Sequence, residues 1–211
     1  IAEMAIKPEM RTDIVELYVG LLGRAPDRDG LSFWVQGYAD RATEMGEDAA
    51  LKSIAQDMFE SDGASSLYPK FLTNEEIVRQ FYENVLDRGE DKQDQEGIAF
   101  WTAAMEDRNP GDVIVDMMSA VLNPAKTDPQ REESKKLLEN KIAVAEYYGT
   151  EVSEAGTPTE ADIQVSKDLV NAVTDDTDTG SEAAIKSFVD EEVAKDSGQT
   201  FTLTTSANNF T

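Results

Sequence analysis

Residues 14–34 read IVELYVGLLGRAPDRDGLSFW, and residues 77–101 read IVRQFYENVLDRGEDKQDQEGIAFW. In each stretch an apolar run reaches an arginine, crosses an acidic turn and enters a second run carrying Gly, an aliphatic residue and Phe-Trp. Tyr18 and Arg24 map onto Tyr82 and Arg88 at an offset of 64, whereas Asp27, Gly30 and Trp34 map onto Asp94, Gly97 and Trp101 at an offset of 67. The second copy therefore holds three extra residues between its arginine and its aspartate. A supersecondary unit repeated in this way sets the architecture, because each unit needs a neighbour to cover its apolar face.

The surrounding periodicity extends both copies. Ile14, Leu17, Tyr18, Leu21 and Leu22 form an amphipathic stripe that predicts a helix from about Thr12 to the stop at Gly23. Asp27 stands at the N-cap of a helix bearing Leu31, Trp34, Val35 and Tyr38. Leu51, Ile54, Ala55, Met58 and Phe59 mark a third helix over 47–61. In the second copy Thr73 and Glu76 form a capping box, stapled by Leu72 and Ile77. Asp94 caps the helix of Ile98 and Trp101. Asn109-Pro110 then opens the stripe Ile114, Met117, Met118, Val121 and Leu122.

Asp128-Pro129 starts a longer helix with Leu138, Ile142, Ala145 and Tyr148 turned inward. Residues 150–160, TEVSEAGTPTE, have the composition of a linker. Two acidic helices follow, around Leu169 and Phe188, separated by TDDTDTG, and residues 199–205 alternate like a strand. The fold expected is all-α. Helical repeat 1 covers 1–70, and helical repeat 2 with an extra helix covers 71–149. An acidic C-terminal helical hairpin covers 150–198, and a strand-like tail over 199–211 leads toward a β region outside the chain. Opening at Ile1, the chain reads as part of a longer protein.

Composition narrows the chemistry. Forty-three acidic against 19 basic residues give a net charge of −24. Such a surface repels phosphate backbones and anionic lipid, so no nucleic-acid partner is expected. No run approaches the ~20 apolar residues that span a bilayer, so no membrane insertion is expected either. Cysteine and histidine are both absent, which removes disulfides, thiol nucleophiles, Cys-rich zinc sites and the commonest general base. There is no GxSxG elbow, HExxH or Gly-rich phosphate loop. The expectation is a non-enzyme, and any metal is a hard cation held by oxygen, Ca²⁺ before others.

Several residues carry competing readings. Arg24 with Asp27, and Arg88 with Asp94, present guanidinium forks to an anionic ligand on matched loops. Alternatively, each arginine complements a helix C-terminus and pairs with its aspartate. Trp34 and Trp101 are either stacking platforms for sugar rings or the large knobs of each repeat's core. Asp27, Asp29 and Gly30 resemble half of a calcium loop, as do Asp91, Asp94 and Glu96 in the lengthened turn. Neither completes the D-x-[DN]-x-[DN]-G-x₅-E pattern, and helix capping accounts for Asp27 and Asp94. Asp175, Asp176 and Asp178 before Gly180 form the densest oxygen cluster, read either as a calcium site or as a solvated loop.

LGRAPDRDGLSFW resembles the repeat of domain-of-unknown-function family 4214, whose hallmark is LGR-x-PD-x-x-GL-x-(Y/F)W. Leu22, Gly23, Arg24, Pro26, Asp27, Gly30, Leu31, Phe33 and Trp34 carry the match. The second copy is similar but has Asp87 in place of the Gly and lacks the Pro before Asp94. The phycobilisome linker domain has a comparable motif. ENKIAVAEYYG and GQTFTLTTSANNFT are similar to segments of large secreted proteins of the RTX and surface-layer type. That resemblance implies type I secretion, calcium dependence and an extracellular or cell-surface location in a Gram-negative bacterium. It implies a non-enzymatic anchoring or adhesion module for a cell-surface polysaccharide, lipopolysaccharide or exopolysaccharide, met by the loops around Arg24 and Arg88. The alternative it leaves is a protein–protein scaffold, with another surface protein or by self-association.

Overall fold

A computed structural model describes the backbone of residues 6–209 and the side chains of residues 6–196. Among the described residues the protein is all-α, without a strand. Copy one comprises α1 (Pro8–Leu17), α2 (Arg28–Met45) and α3 (Glu47–Glu60); copy two comprises α4 (Asn74–Asn84), α5 (Gln95–Asp107) and α6 (Pro110–Leu122). Then come α7 (Pro129–Tyr147), α8 (Glu160–Ala172) and α9 (Glu182–Asn209). Single π-helical turns, Tyr18–Leu22 and Tyr148–Val152, prolong α1 and α7.

Most helix starts lie where the capping chemistry puts them. Asp27 accepts from the Gly30 N–H at 2.9 Å, and Asp94 from that of Glu96 at 3.1 Å. Thr73 and Glu76 complete their reciprocal box, as do Thr159 and Asp162. Asp128 caps α7, and Ser181 caps α9 through the Ala184 N–H. The first helix differs from the sequence expectation. It begins at Pro8 rather than Thr12, because a proline at the first position needs no hydrogen-bond partner for its nitrogen. Thr12 instead donates from its hydroxyl to Glu146 on α7, at 2.7 Å.

The corresponding helices α3 and α6 pack on one another and join the copies. Their approach is close enough to require Gly111, where a Cβ would lie 2.6 Å from the backbone of Gln56. Helix α7 lies across α1 and α6, and α8 and α9 pack on α7 and on each other. The units at 1–70, 71–149 and 150–198 thus feed one continuous hydrophobic cluster running from Met10 to Val189.

Two expectations for the C-terminal part change. Residues 150–160 do not behave as a free linker. They are tied to copy one by the Arg28 side chain to the Thr150 carbonyl (3.0 Å), the Arg28 N–H to the Ser153 hydroxyl (2.9 Å) and the Gly156 N–H to the Asp29 carboxylate (2.8 Å). The strand-like alternation at 199–205 falls within the helical backbone of α9. The side chains of the 199–211 tail, and residues 210–211 altogether, lie outside the described residues.

Candidate functional site

The matched turns share a backbone frame. The Arg24 N–H returns to the Tyr18 carbonyl at 3.4 Å, and the Arg88 N–H to the Tyr82 carbonyl at 2.9 Å. The residue before each arginine is left-handed: Gly23 at φ 63° and Asp87 at φ 52°. Loss of the glycine in copy two therefore does not change the turn, since aspartate tolerates this conformation better than most residues. The two small residues at the start of α2 and α5 also have one cause. A Cβ on Gly30 would meet the Tyr18 hydroxyl at 2.5 Å, and one on Gly97 would meet that of Tyr82 at 2.7 Å. Much of the repeated motif is thus internal joinery.

The arginines sit over those same tyrosines, 5.2 Å from the Tyr18 ring for Arg24 and 5.9 Å from the Tyr82 ring for Arg88. Their neutralisation differs. Arg24 reaches Asp27 at 3.3 Å, with both side chains largely buried. Arg88 is only 8% exposed and, among the described residues, has no carboxylate within ion-pair distance. One terminal nitrogen donates to the Gln130 carbonyl at 2.8 Å, and its Nε has no hydrogen-bond partner. Desolvation lowers its pKa from the usual arginine value. Asp94 lies 3.9 Å from Arg131 and forms no ion pair with Arg88, on which Asp128 and Asp94 act only from further off.

The spaces beside the two arginines differ accordingly. Around Arg24 and Asp27 the walls come from Tyr148, Ser153, Glu154, Asp162 and Ser166, mainly polar groups of the π turn, the 153–158 segment and α8. Beside Arg88 is a cavity of about 320 Å³ whose floor is apolar, with Phe81, Trp101, Met117 and Val121. Arg131 and Lys126 stand at its wall with Asp94.

The aromatic pairs are matched too. Phe33 and Trp34 stack edge to face at 5.2 Å and 79°, and Phe100 and Trp101 at 4.8 Å and 81°. Both tryptophans are half-buried against the core, in keeping with the packing reading, while Phe33 and Phe100 are 68% and 65% exposed. Phe33 and Trp34 border an open groove with Ser32, Gln36, Asp40 and Arg41.

The acidic runs do not converge. Among the described residues no three carboxylates gather in a group fit for a metal. Asp94 is occupied as cap and with Arg131. In the Asp175, Asp176 and Asp178 loop, Asp178 accepts from the Gly180 N–H, and Asn140 donates to the Thr174 and Asp175 carbonyls. Among the described residues neither Asp91 nor Glu96 joins an ion pair. The 174–179 loop is organised around Asn140, which also accepts from the Thr179 hydroxyl at 2.6 Å.

Two ionisable groups outside the sequence-predicted sites are withdrawn from solvent. Lys141, 1% exposed, donates to the Val85 carbonyl at 2.9 Å and lies 3.7 Å from Asp87. It satisfies the end of α4 and anchors the residue that replaces glycine in the turn; burial lowers its pKa. The signal was there in its position on the stripe of Leu138, Ile142 and Ala145. Glu16 is pushed up to about 7 by burial, with Asp13 and Glu146 adding repulsion. This group lies apart from the cavities beside Arg24, Arg88 and Trp34. Among the described residues no helix is long and apolar enough to cross a membrane. Comparisons with family models, with curated proteins and with solved structures return no match.

Proposed function

We propose that the chain is a non-enzymatic interaction module that binds a cell-surface polysaccharide. The observation that carries this reading is the solvent-exposed Phe33 beside half-buried Trp34 in a groove lined by hydroxyl, amide, carboxylate and guanidinium groups. Aromatic surface covers the apolar face of a sugar ring, and polar side chains bond its hydroxyls. Phe100 and Trp101 repeat the aromatic half of the arrangement in copy two. On this reading the contact lies along the aromatic edges of α2 and α5 rather than at Arg24 and Asp27, which are engaged with each other.

The resemblance of LGRAPDRDGLSFW to family 4214 supports an extracellular, surface-layer or RTX-type setting for this module. Calcium belongs to that setting and is not built into the reading of the groove. A protein–protein scaffold is the second reading, favoured by the exposure of Phe33, Phe71 and Phe100 together.

Glycan-array and lipopolysaccharide pull-down measurements, with and without Ca²⁺, test the proposal. Wild type is expected to bind, and Phe33→Ala with Phe100→Ala to lose binding while keeping its helical spectrum. Absence of binding in both conditions contradicts it. Concentration-dependent self-association without sugar, abolished by the same changes, establishes the scaffold instead.

A further inference from the structure

The repeat supplies an internal control for the charge on its arginine. In copy one the guanidinium has an anion of its own, Asp27 at 3.3 Å. In copy two the corresponding guanidinium is nine-tenths buried, has no carboxylate within ion-pair distance among the described residues though Asp128 and Asp94 act on it from further off, and keeps an unpartnered Nε. Burying a cation without a counter-charge is costly, and an unsatisfied buried donor adds to that cost. Arg88, Arg131 and Lys126 line the cavity with the carboxylate of Asp94, and Arg131 is also paired with Asp128 at 2.5 Å, which leaves three cations against two carboxylates. On a chain of net charge −24 this is a local reversal of sign. The rest of the lining, including Trp101 and Met117, is apolar except for Tyr82 and Ser134.

We propose that this cavity binds a small carboxylate with an apolar body, its head toward Arg88 and Arg131 and its body against Trp101 and Met117. The ligand supplies the direct counter-charge that Asp94, whose ion pair is with Arg131, does not give Arg88. A guanidinium suits the two oxygens of a carboxylate. A volume near 320 Å³ is at the small end of ligand cavities, matching a medium-chain acid rather than a long lipid. The inference shares Trp101 with the polysaccharide reading but not the exposed phenylalanines whose replacement tests that reading.

Octanoate is a suitable probe, with octanol and octylammonium as controls of equal chain length. Trp101 is the reporter in a Trp34→Phe background, since these are the two tryptophans of the chain. Octanoate is expected to change Trp101 emission saturably at one site and to raise the melting temperature. Octanol and octylammonium are expected to bind at least ~10-fold more weakly, the scale of a lost charge-assisted pair. Lys126→Gln with Arg131→Gln should weaken octanoate ~10-fold or more and leave octanol unchanged. Ala120→Phe, at an exposed part of the wall, should block binding without unfolding the helices. Equal binding of octanol, or no saturable response to octanoate in the folded protein, overturns the proposal. Retained octanoate binding in folded Ala120→Phe overturns it as well.

Discussion

Copy one and copy two build the same turn from different chemistry. In copy one a glycine takes the left-handed position and an arginine–aspartate pair closes the loop. In copy two an aspartate takes that position, a buried lysine from α7 holds it, and the arginine is left beside a cavity. The backbone frame outlasts the side chains that hold it, because Tyr18 and Tyr82 fix the distance to Gly30 and Gly97 in both copies. A duplicated unit can thus keep one copy for structure while the other acquires a space.

The largest break in this comparison is expected at Lys141. Replacement by alanine removes a buried stem and leaves the Val85 carbonyl unpaired, costing about 3 kcal/mol in chemical denaturation. The turn residues sharpen the contrast. Gly23→Ala forces a side chain into a left-handed position against Leu67, with a cost of about 1–2 kcal/mol. Asp87→Gly relieves the same conformation while losing the Lys141 contact, so its net change should stay within about 0.5 kcal/mol. Equal effects at the two positions would mean that the copies hold their turns in the same way.

Glu16 gives a pH-dependent version of the test. The offset of 64 places it opposite Gln80, so Glu16→Gln installs the residue of copy two. Its folded pKa of about 7 lies above the ordinary 4.5, so the folded state holds the proton more tightly than the unfolded one. The associated stability is fully present below about pH 4.5 and is lost as pH rises through 7. Allowing for partial exposure, the variant should gain about 1–2 kcal/mol over wild type at pH 8 and nothing at pH 4. Melting curves across that range check it. A smaller effect belongs to Thr73→Ala, which breaks the capping box of α4 at about 1 kcal/mol.

Local signals carried much of the fold. Asp27, Thr73, Asp94 and Asp128 were legible as caps because each interaction lies within three residues. Pro8 was passed over in favour of Thr12, whose hydroxyl serves a tertiary contact instead. Contacts distant in sequence could not be read. The docking of 150–160 on copy one depends on Arg28 and Asp29 meeting residues more than 120 positions away. The site was only half legible. Matched arginines drew attention to the turns, but their burial and the pairing of Asp94 with Arg131 follow from where α7 packs. In the acidic runs Asp94 and Asp178 accept from backbone N–H groups two residues on, local roles that the spacing of carboxylates alone does not reveal.

Arginine side-chain Nε–H resonances measure the difference between the copies most directly. With Arg24 and Arg88 assigned through Arg24→Lys and Arg88→Lys, octanoate is added to the wild-type protein. The Arg88 signal is predicted to move saturably while the Arg24 signal stays fixed. Parallel movement of both signals, or a stationary Arg88 signal at concentrations that saturate Trp101 emission, contradicts the account.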